Sequence, residues 1–219
     1  MAVSSRRERE RLERRAAILD AADRVFLDKG FDQATMDEIA AEAEFSKGTL
    51  YLYFKNKDDL FVALSTRKFE DMVDAFESLA AGEPTGVAAL RAILARYASF
   101  ITANEQHFRV AMGRLISGDM FGDDLPSFAD HQAQITRIVD SFITALERGK
   151  RDGTIRPELD SQATSGHLWG AIMGTMIIRI NSDELARRFP RPISFDHHVE
   201  GFIRLVCGGL QPADEVSRS

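Results

Sequence analysis

Residues 35–61 read TMDEIAAEAEFSKGTLYLYFKNKDDLF, and this stretch decides the fold class. Thr35 with Glu38 three residues later is a capping-box pattern, and Ser46 is a residue type that caps helices well. The two helix starts lie 11 residues apart. This spacing predicts two short helices joined by a tight turn, which is the plan of a helix-turn-helix motif.

The second of these helices has an unusual surface. Its segment, SKGTLYLYFKNK at residues 46–57, contains three lysines and no acid, whereas the whole chain has a formal net charge of −6. A positive, aromatic surface on an acidic protein indicates an anionic partner, and duplex DNA is the obvious one. Because the net charge is negative, DNA binding must depend on this local patch.

Composition excludes several classes of protein. The 219 residues are long enough for one large or two modest domains. A single cysteine, Cys207, excludes an intrachain disulfide and a multi-cysteine metal site, and it favours a reducing cytoplasm. The basic N-terminus lacks the apolar core of a secretory signal. The most apolar window, residues 168–178, is too short to span a bilayer, so we expect a cytoplasmic protein without a membrane segment.

Apolar residues recur at helical spacing almost throughout, which predicts an all-α protein of about nine helices. We expect a three-helix head and a larger helical body. The predicted domains are a helix-turn-helix DNA-binding domain at 1–57, a ligand-binding and dimerisation domain at 58–210, and a polar tail at 211–219. The helices are predicted at about residues 5–29, from residue 35, and at 46–53, 56–81, 87–103, 105–117, 127–151, 161–180 and 195–208.

The third predicted helix has the features needed to enter the major groove of DNA. Leu50 and Phe54 are four residues apart, so they share a face that can anchor the helix to the rest of the head. The outward flanks then carry Lys47, Gly48, Tyr51, Thr49 and Tyr53.

Each outward residue has a chemical role at DNA. Lys47 can reach a base edge or a phosphate, and Gly48 removes bulk where the backbone must approach DNA. The methyl group of Thr49 can meet a thymine methyl. Tyr51 and Tyr53 can donate their phenol hydroxyls to phosphates. The alternative for either tyrosine is packing against the first helix.

Two further phosphate contacts are predicted near helix starts. Lys57 adds charge beside the free N–H groups of the fourth helix, and Thr35 lies at the start of the second. The four arginines of residues 6–11 are candidates for contacts with phosphate or the minor groove. Because they alternate with Glu8 and Glu10, a solvated helix face is the alternative.

Together these residues resemble the DNA-binding signature of the tetracycline-repressor (TetR) family. The similarity covers about residues 16–64 and rests on Gly30-Phe31, Thr35-Met36, Ile39-Ala40, Ala43, Ser46-Lys47-Gly48-Thr49-Leu50-Tyr51, Tyr53-Phe54, Lys57 and Leu60. It implies a homodimer whose two heads each bind half of a palindromic operator and whose body binds an inducer. The predicted DNA-binding residues are Thr35, Ser46, Lys47, Gly48, Thr49, Tyr51, Tyr53 and Lys57.

One residue departs from the family pattern. Members of the family often have glycine in the turn where this chain has Glu44. If that position needs a positive φ, Glu44 is slightly strained there. We expect a local adjustment of the turn and no loss of the motif.

The body is rich in methionine and phenylalanine, side chains that adapt to varied apolar shapes and are typical of small-molecule pockets. Residues 108–131 and 151–174 loosely resemble family members tied to efflux and stress control. The alternative for each apolar residue is an ordinary core position. The five histidines lack metal-ligand spacing, and we predict no cofactor, metal site or catalytic group. The predicted effector-binding residues are Phe108, Met112, Arg114, Met120, His131, Trp169 and Met173.

The eighth and ninth predicted helices, at 161–180 and 195–208, form the predicted dimer surface. Pairing them with their symmetry mates gives a four-helix bundle. The alternative is burial of either helix within one monomer. The residues expected at this surface are the small Ala171, Gly174 and Thr175 and the apolar Ile203, Val206, Cys207 and Leu210.

The resulting hypothesis is a ligand-responsive transcriptional regulator, a repressor released from DNA by a small apolar or amphipathic effector. An activator is a variant that the sequence does not distinguish. A helical protein-interaction adaptor without DNA binding is the alternative class. The chain has no nucleophile elbow, no glycine-rich phosphate loop after a strand and no paired carboxylates, so we predict that it is not an enzyme.

Overall fold

The computed structural model describes residues 6–188 and 194–212, and these residues form ten α-helices without a strand. The prediction of an all-α fold is confirmed. The helices are α1 (Arg6–Lys29), α2 (Met36–Glu42), α3 (Lys47–Tyr51), α4 (Lys57–Gly82), α5 (Gly86–Ala103), α6 (Glu105–Ser117), α7 (Phe128–Asp152), α8 (Ser161–Ile180), α9 (Ser182–Arg188) and α10 (Phe195–Leu210).

Most predicted helix bounds agree with the structure to within two residues, and those of the helices now labelled α6 and α8 agree at both ends. The short helix α9 was not predicted. It has no buried residue, and its acids stand in the first turn while Arg187 and Arg188 stand in the last. Because no side chain of α9 is buried, its sequence lacks the apolar periodicity from which a helix is predicted. The predicted N-terminal cap at Ser5 and most of the predicted tail lie outside the described residues.

The chain divides into two compact units. The first unit consists of Met1–Phe69 and Gly113–Ala133, and the second consists of Glu70–Met112 and Gln134–Ser219. Three helices, α4, α6 and α7, therefore contribute residues to both units. The predicted boundary between a DNA-binding and an effector-binding domain, at residues 57 and 58, remains a prediction. The division into compact units does not show which residues bind DNA or effector.

In the first unit, α1 packs against α2 and α2 packs against α3. The core of this unit includes Ile18 of α1, Ile39 of α2 and Leu50 of α3, each 0% exposed. Burying an apolar side chain of this size contributes about 1.5–3 kcal/mol to folding. The three short helices are thus held by their shared apolar interior.

In the second unit, α10 packs against α5 and α8. The ring of Phe76 lies 6.0 Å from the rings of Tyr97 and Phe142, which joins α4, α5 and α7 in one aromatic cluster. Gly86 at the start of α5 has no room for a side chain, because a Cβ there would lie 2.0 Å from the backbone nitrogen of Gly149.

Helix α5 has the length and composition of a membrane-spanning helix. Eight of its residues are nevertheless buried inside the protein, among them Leu90 and Ile93, which are 0% exposed. This burial is the pattern of a core helix.

Candidate nucleic-acid interface

The start of α2 is fixed by the predicted capping box. The Thr35 hydroxyl accepts a hydrogen bond from the Glu38 N–H at 3.2 Å, and the Thr35 N–H donates to the Glu38 carboxylate at 3.0 Å. Lys29 donates to the same carboxylate at 2.6 Å. The hydrogen bond from Lys29, followed by those from Thr35, holds the pKa of Glu38 below its usual value. Glu38 is therefore ionised at neutral pH and ties α1 to α2.

In the turn after α2, Glu44 adopts the left-handed backbone conformation, which is the condition under which the sequence predicts slight strain at this residue. Glu44 has a φ of +58°. Its N–H donates to the carbonyl of Ala41 at 3.1 Å, and the N–H of Phe45 donates to the carbonyl of Ala40 at 2.9 Å. This pair of bonds is a Schellman motif, which satisfies the last carbonyls of α2 and sets the direction in which the chain enters α3.

Helix α3 is short and well capped. The Ser46 hydroxyl accepts a hydrogen bond from the Thr49 N–H at 3.1 Å, which confirms Ser46 as the N-cap. Leu50 and Phe54 are 0% and 1% exposed, so both predicted anchor residues are buried. Helix α3 ends at Tyr51, two residues before its predicted end at Tyr53.

The other side of α3 faces solvent. Tyr51 is 46% exposed, and a Cβ built at Gly48 would meet only the Ser46 hydroxyl, at 3.8 Å. Lys47 is exposed, but its ammonium forms an ion pair with Asp37 at 2.6 Å. The hydrogen bond that Lys47 donates to Asp37, and the negative charge of Asp37, raise the pKa of Lys47, which stays protonated. Because a lysine has three donors, this single contact leaves two for the predicted phosphate contact.

The structure gives Lys57 a role that was not predicted. Its ammonium donates to the carbonyls of Phe31, Asp32 and Ala34 at 2.7, 3.1 and 3.0 Å. It also lies 4.5 Å from the centre of the Phe31 ring. Because a lysine has three donors, these bonds leave none for the predicted phosphate contact. In this arrangement Lys57 fixes the connection between α1 and α2.

Leu52, which follows α3, was not predicted as a site residue although it is 84% exposed. The sequence signal was present: Leu52 lies midway between the two buried anchors Leu50 and Phe54, and four residues after Gly48. Two residues of helix correspond to a rotation of about 200°, so a residue between two buried ones points outward.

The basic N-terminal part of α1 is helical and partly paired. Arg6 pairs with Glu10, and Arg11 pairs with Glu8. Arg7 and Arg9 form no ion pair or hydrogen bond within residues 6–188 and 194–212, and they remain candidates for phosphate contacts.

A segment distant in sequence completes the first unit. Phe121 stacks on Phe61 with ring centres 5.0 Å apart. The guanidinium of Arg114 lies 4.4 Å from the Phe121 ring centre and 5.2 Å from that of Phe31. We call residues 113–133 the clasp, because this segment contacts the connection after α1 and the first turns of α4. No pattern within the helix-turn-helix segment predicts this partner.

The clasp is also tied through a buried carboxylate. Asp59 is 0% exposed and accepts hydrogen bonds from the N–H of Lys55 at 2.8 Å and of Ser127 at 2.9 Å. The side chain of Lys55 forms an ion pair with Asp124 of the clasp. The end of the α3 region, the start of α4 and the start of α7 thus share one hydrogen-bonded centre.

The seven predicted effector-binding residues do not fall in one unit. Arg114, Met120 and His131 belong to the first unit, while the other four belong to the second. Met120 is 58% exposed and Trp169 is 48% exposed, which does not fit a place inside a pocket. Phe108 and Met112 are buried, as predicted for an apolar site and also for an ordinary core. The role of these residues remains a prediction.

The predicted dimer surface needs a correction. Ile203, Cys207 and Leu210 of α10 are buried within the chain, and so is Thr175 of α8. The apolar stripe of α10 therefore belongs to the interior, because it packs against α5 and α8. Burial also raises the pKa of the Cys207 thiol. The exposed sides of the two helices carry the predicted Ala171 and Gly174, together with Gly166, Gly170 and Leu205, which were not predicted.

The cleft between α1 and α2 is lined mainly by charged residues. In the first unit, an open cleft of about 500 Å³ between α1 and α2 is lined by charges of both signs, including the ion pair of Arg24 with Glu42 at 2.6 Å. Within the described ranges, 6–188 and 194–212, no group of three or more His, Cys, Asp or Glu side chains is arranged to hold a metal ion.

Residues 18–64 match the family model described as bacterial regulatory proteins, tetR family. The HTH-type transcriptional activator FasR of Mycolicibacterium smegmatis is 27% identical over 199 residues, covering 90% of this chain and 83% of that protein. The fatty acid metabolism regulator protein of Bacillus subtilis is 23% identical over 171 residues, covering 76% of this chain and 84% of its own length.

The fold is also found among solved structures. The transcriptional regulator FadR from Bacillus subtilis, solved in complex with stearoyl-CoA, superposes with a TM-score of 0.66 and 19% sequence identity. The match covers 90% of this chain and 99% of that one. The two proteins share a helix-turn-helix region followed by a helical body.

Proposed function

Because this chain belongs to the TetR family of bacterial transcriptional regulators, we propose that it binds a palindromic operator as a homodimer. Helix α3 of each protomer enters a major groove. The observation that carries the proposal is the two-sided character of this helix, which is anchored by the buried Leu50 and Phe54 while Gly48 and Tyr51 face solvent. A helix presented in this way can approach base edges without loss of core packing.

A second copy of this chain fits the exposed side of α8. Gly166, Gly170 and Gly174 recur every four residues, are exposed, and have open space where a Cβ would lie. Residues at this spacing share one helix face, and glycine permits close approach of another helix. The 77% exposed Leu205 of α10 supplies apolar area for the same contact. A two-fold dimer contains two copies of α3, as an operator with two half-sites about 34–36 Å apart requires.

The effector class that we propose is a long-chain acyl thioester. Relatives of this chain are named as regulators of fatty acid metabolism, and one structural relative was solved with stearoyl-CoA. In the second unit, the predicted effector-binding residue Phe108 belongs to an apolar cluster, since its ring centre lies 5.6 Å from that of Phe100 and 6.4 Å from that of Tyr97. An acyl chain is the kind of ligand that such aromatic and methionine side chains bind.

The proposed mechanism is a shift between two forms of the dimer. A ligand that binds one form of the dimer more tightly than the other shifts the population toward that form. The affinity of the dimer for operator can change by no more than the ratio of the ligand's affinities for the two forms. Helices α4, α6 and α7 supply residues to both units, so they can carry the change. We propose repression relieved by acyl-CoA. Activation is the second candidate, favoured by the name of the relative FasR.

The experiment begins with selection of a duplex from a random-sequence library by the purified protein. Fluorescence anisotropy at about 150 mM salt then compares the selected duplex with a scrambled one, because salt suppresses nonspecific phosphate binding. We expect Lys47→Ala and Tyr51→Phe to weaken specific binding with nearly unchanged melting temperatures. Absence of any enriched duplex would favour the adaptor alternative.

The effector arm adds stearoyl-CoA or free coenzyme A to the complex. Release of the duplex by stearoyl-CoA alone supports the acyl-thioester assignment, whereas equal effects of both compounds contradict it. Transcription in vitro from a promoter carrying the selected duplex distinguishes a repressor from an activator. A rise in transcript on addition of stearoyl-CoA is the outcome expected for a repressor.

A further inference from the structure

Leu52 is the most exposed large apolar side chain of the described part of the chain, at 84%. Its backbone is helical, with φ −72° and ψ −21°, so the geometry of α3 extends to it. Two residues of helix correspond to a rotation of about 200°, so Leu52 points away from Leu50, and it is exposed whereas Leu50 and Phe54 are buried. Gly48, one helical turn earlier on the same side, has no side chain to shield it.

An exposed apolar side chain at the end of α3 has few partners in a major groove. Base edges there present hydrogen-bond donors and acceptors, and the one apolar group among them is the C5 methyl of thymine. Polar groups flank Leu52 on α3, including the hydroxyl of Tyr51 and the ammonium of Lys47, and these suit phosphates better than a methyl group.

We propose that Leu52 determines operator sequence by contact with a thymine methyl in each half-site. The inference rests on the proposed insertion of α3 into the major groove. It adds a specificity-determining residue that was absent from the predicted set. The burial of one methyl-sized group corresponds to about a fourfold change in affinity for each half-site.

The test replaces each thymine of the selected duplex, one symmetric pair at a time, by deoxyuridine, which lacks only the C5 methyl. The wild-type protein should lose about 15-fold in affinity at one pair, which is the fourfold effect in both half-sites. Leu52→Ala should bind the thymine duplex more weakly and should not respond to deoxyuridine at that pair. Leu52→Met, which keeps an apolar side chain, should restore the response.

A matched control is Leu27→Ala, which truncates another exposed leucine of the first unit. This variant should show the full wild-type response to deoxyuridine. If Leu52→Ala keeps that response, or if no thymine pair matters to the wild-type protein, the role of Leu52 is contradicted while specific DNA binding stands. If the wild-type protein selects no duplex at all, the proposed function itself fails.

Discussion

Arg114 donates to the Asp58 carboxylate at 2.9 Å, which joins the end of α6 to the first turn of α4. The two residues are 56 positions apart in sequence. Both side chains are largely shielded from water, at 21% and 34% exposure. Arg114 was predicted to anchor an effector, but its guanidinium is engaged here with a carboxylate and with the rings of Phe31 and Phe121.

The first prediction concerns this contact. Arg114→Gln should destabilise the protein by about 2 kcal/mol, the sum expected for a partly buried ion pair and a cation–π contact. Urea unfolding monitored by circular dichroism measures the loss. Arg6→Gln removes an exposed pair with Glu10 and should change stability by less than about 0.5 kcal/mol. Equal effects of the two variants would show that Arg114 does not hold the clasp.

The second prediction separates Lys57 from Lys47. Lys57→Met leaves three carbonyls without their donor and should cost about 2–3 kcal/mol of stability. Lys55→Met, two residues away, removes an exposed ion pair and should cost less than about 1 kcal/mol. At a temperature where all variants are folded, Lys47→Ala should lose more operator affinity than Lys57→Met. A larger loss of operator affinity in Lys57→Met would indicate that Lys57 contacts DNA.

The third prediction concerns the left-handed turn after α2. Glu44→Gly removes the Cβ strain at a φ of +58° and should stabilise the protein by about 1 kcal/mol, after allowance for the entropy of glycine in the unfolded chain. The expected rise in melting temperature is about 2–4 °C. Glu44→Ala keeps the Cβ and should give no such rise. A rise with alanine would point to the charge of Glu44 instead.

The fourth prediction concerns pH. The His131 ring stacks on Phe69 at 5.4 Å, and its Nδ1 is buried without a hydrogen-bond partner in the described residues. Burial lowers the pKa of His131 from 6.5. The unfolded chain therefore binds the proton more readily, and stability falls as pH drops below about 6.5, by at most 1.4 kcal/mol per pH unit.

His131→Phe should remove this part of the pH dependence while keeping the stack. Urea unfolding of both proteins at pH 7.5 and 5.5 gives the comparison. We expect the stability of the wild-type protein relative to the variant to be lower at pH 5.5. A difference that does not change with pH would contradict the assignment.

The fifth prediction tests the dimer surface. Gly170→Arg places a long side chain on the exposed face of α8, where the folded monomer has open space. Sedimentation should show a monomer with an unchanged helical spectrum and weaker operator binding. Gly82→Arg, at another open glycine, should leave the dimer intact. A dimer that persists in Gly170→Arg would move the interface elsewhere.

The local structure of the helix-turn-helix segment follows closely from sequence. The capping box of Thr35 and Glu38 and the N-cap at Ser46 are both present, because these signals act within three residues of chain. Glu44 has the positive φ that the sequence raised as a condition, because members of the family often have glycine at that position. Such features depend on neighbours in sequence, which a single chain displays.

Features that depend on distant neighbours were missed or reversed. The apolar stripe on α10 indicates that these side chains are buried, but it does not show whether another protomer or the same chain covers them. Ile203 and Cys207 are buried within the same chain. The positive charge of Lys57 suggested phosphate, while the three carbonyls that bind it are backbone groups that no side-chain pattern reveals. The pairing of Arg114 with Asp58 likewise requires the fold.

The clasp has a consequence for protein engineering. A fragment ending near residue 69 would leave Phe31 and Phe61 without the ring of Phe121, which lies against both in the intact chain. Exchange of DNA-reading modules between related regulators would therefore need two pieces of chain, the N-terminal one and residues 113–133. A chimera joined at a single crossover near residue 69 would place the N-terminal segment of one regulator against the residues of another regulator that correspond to 113–133.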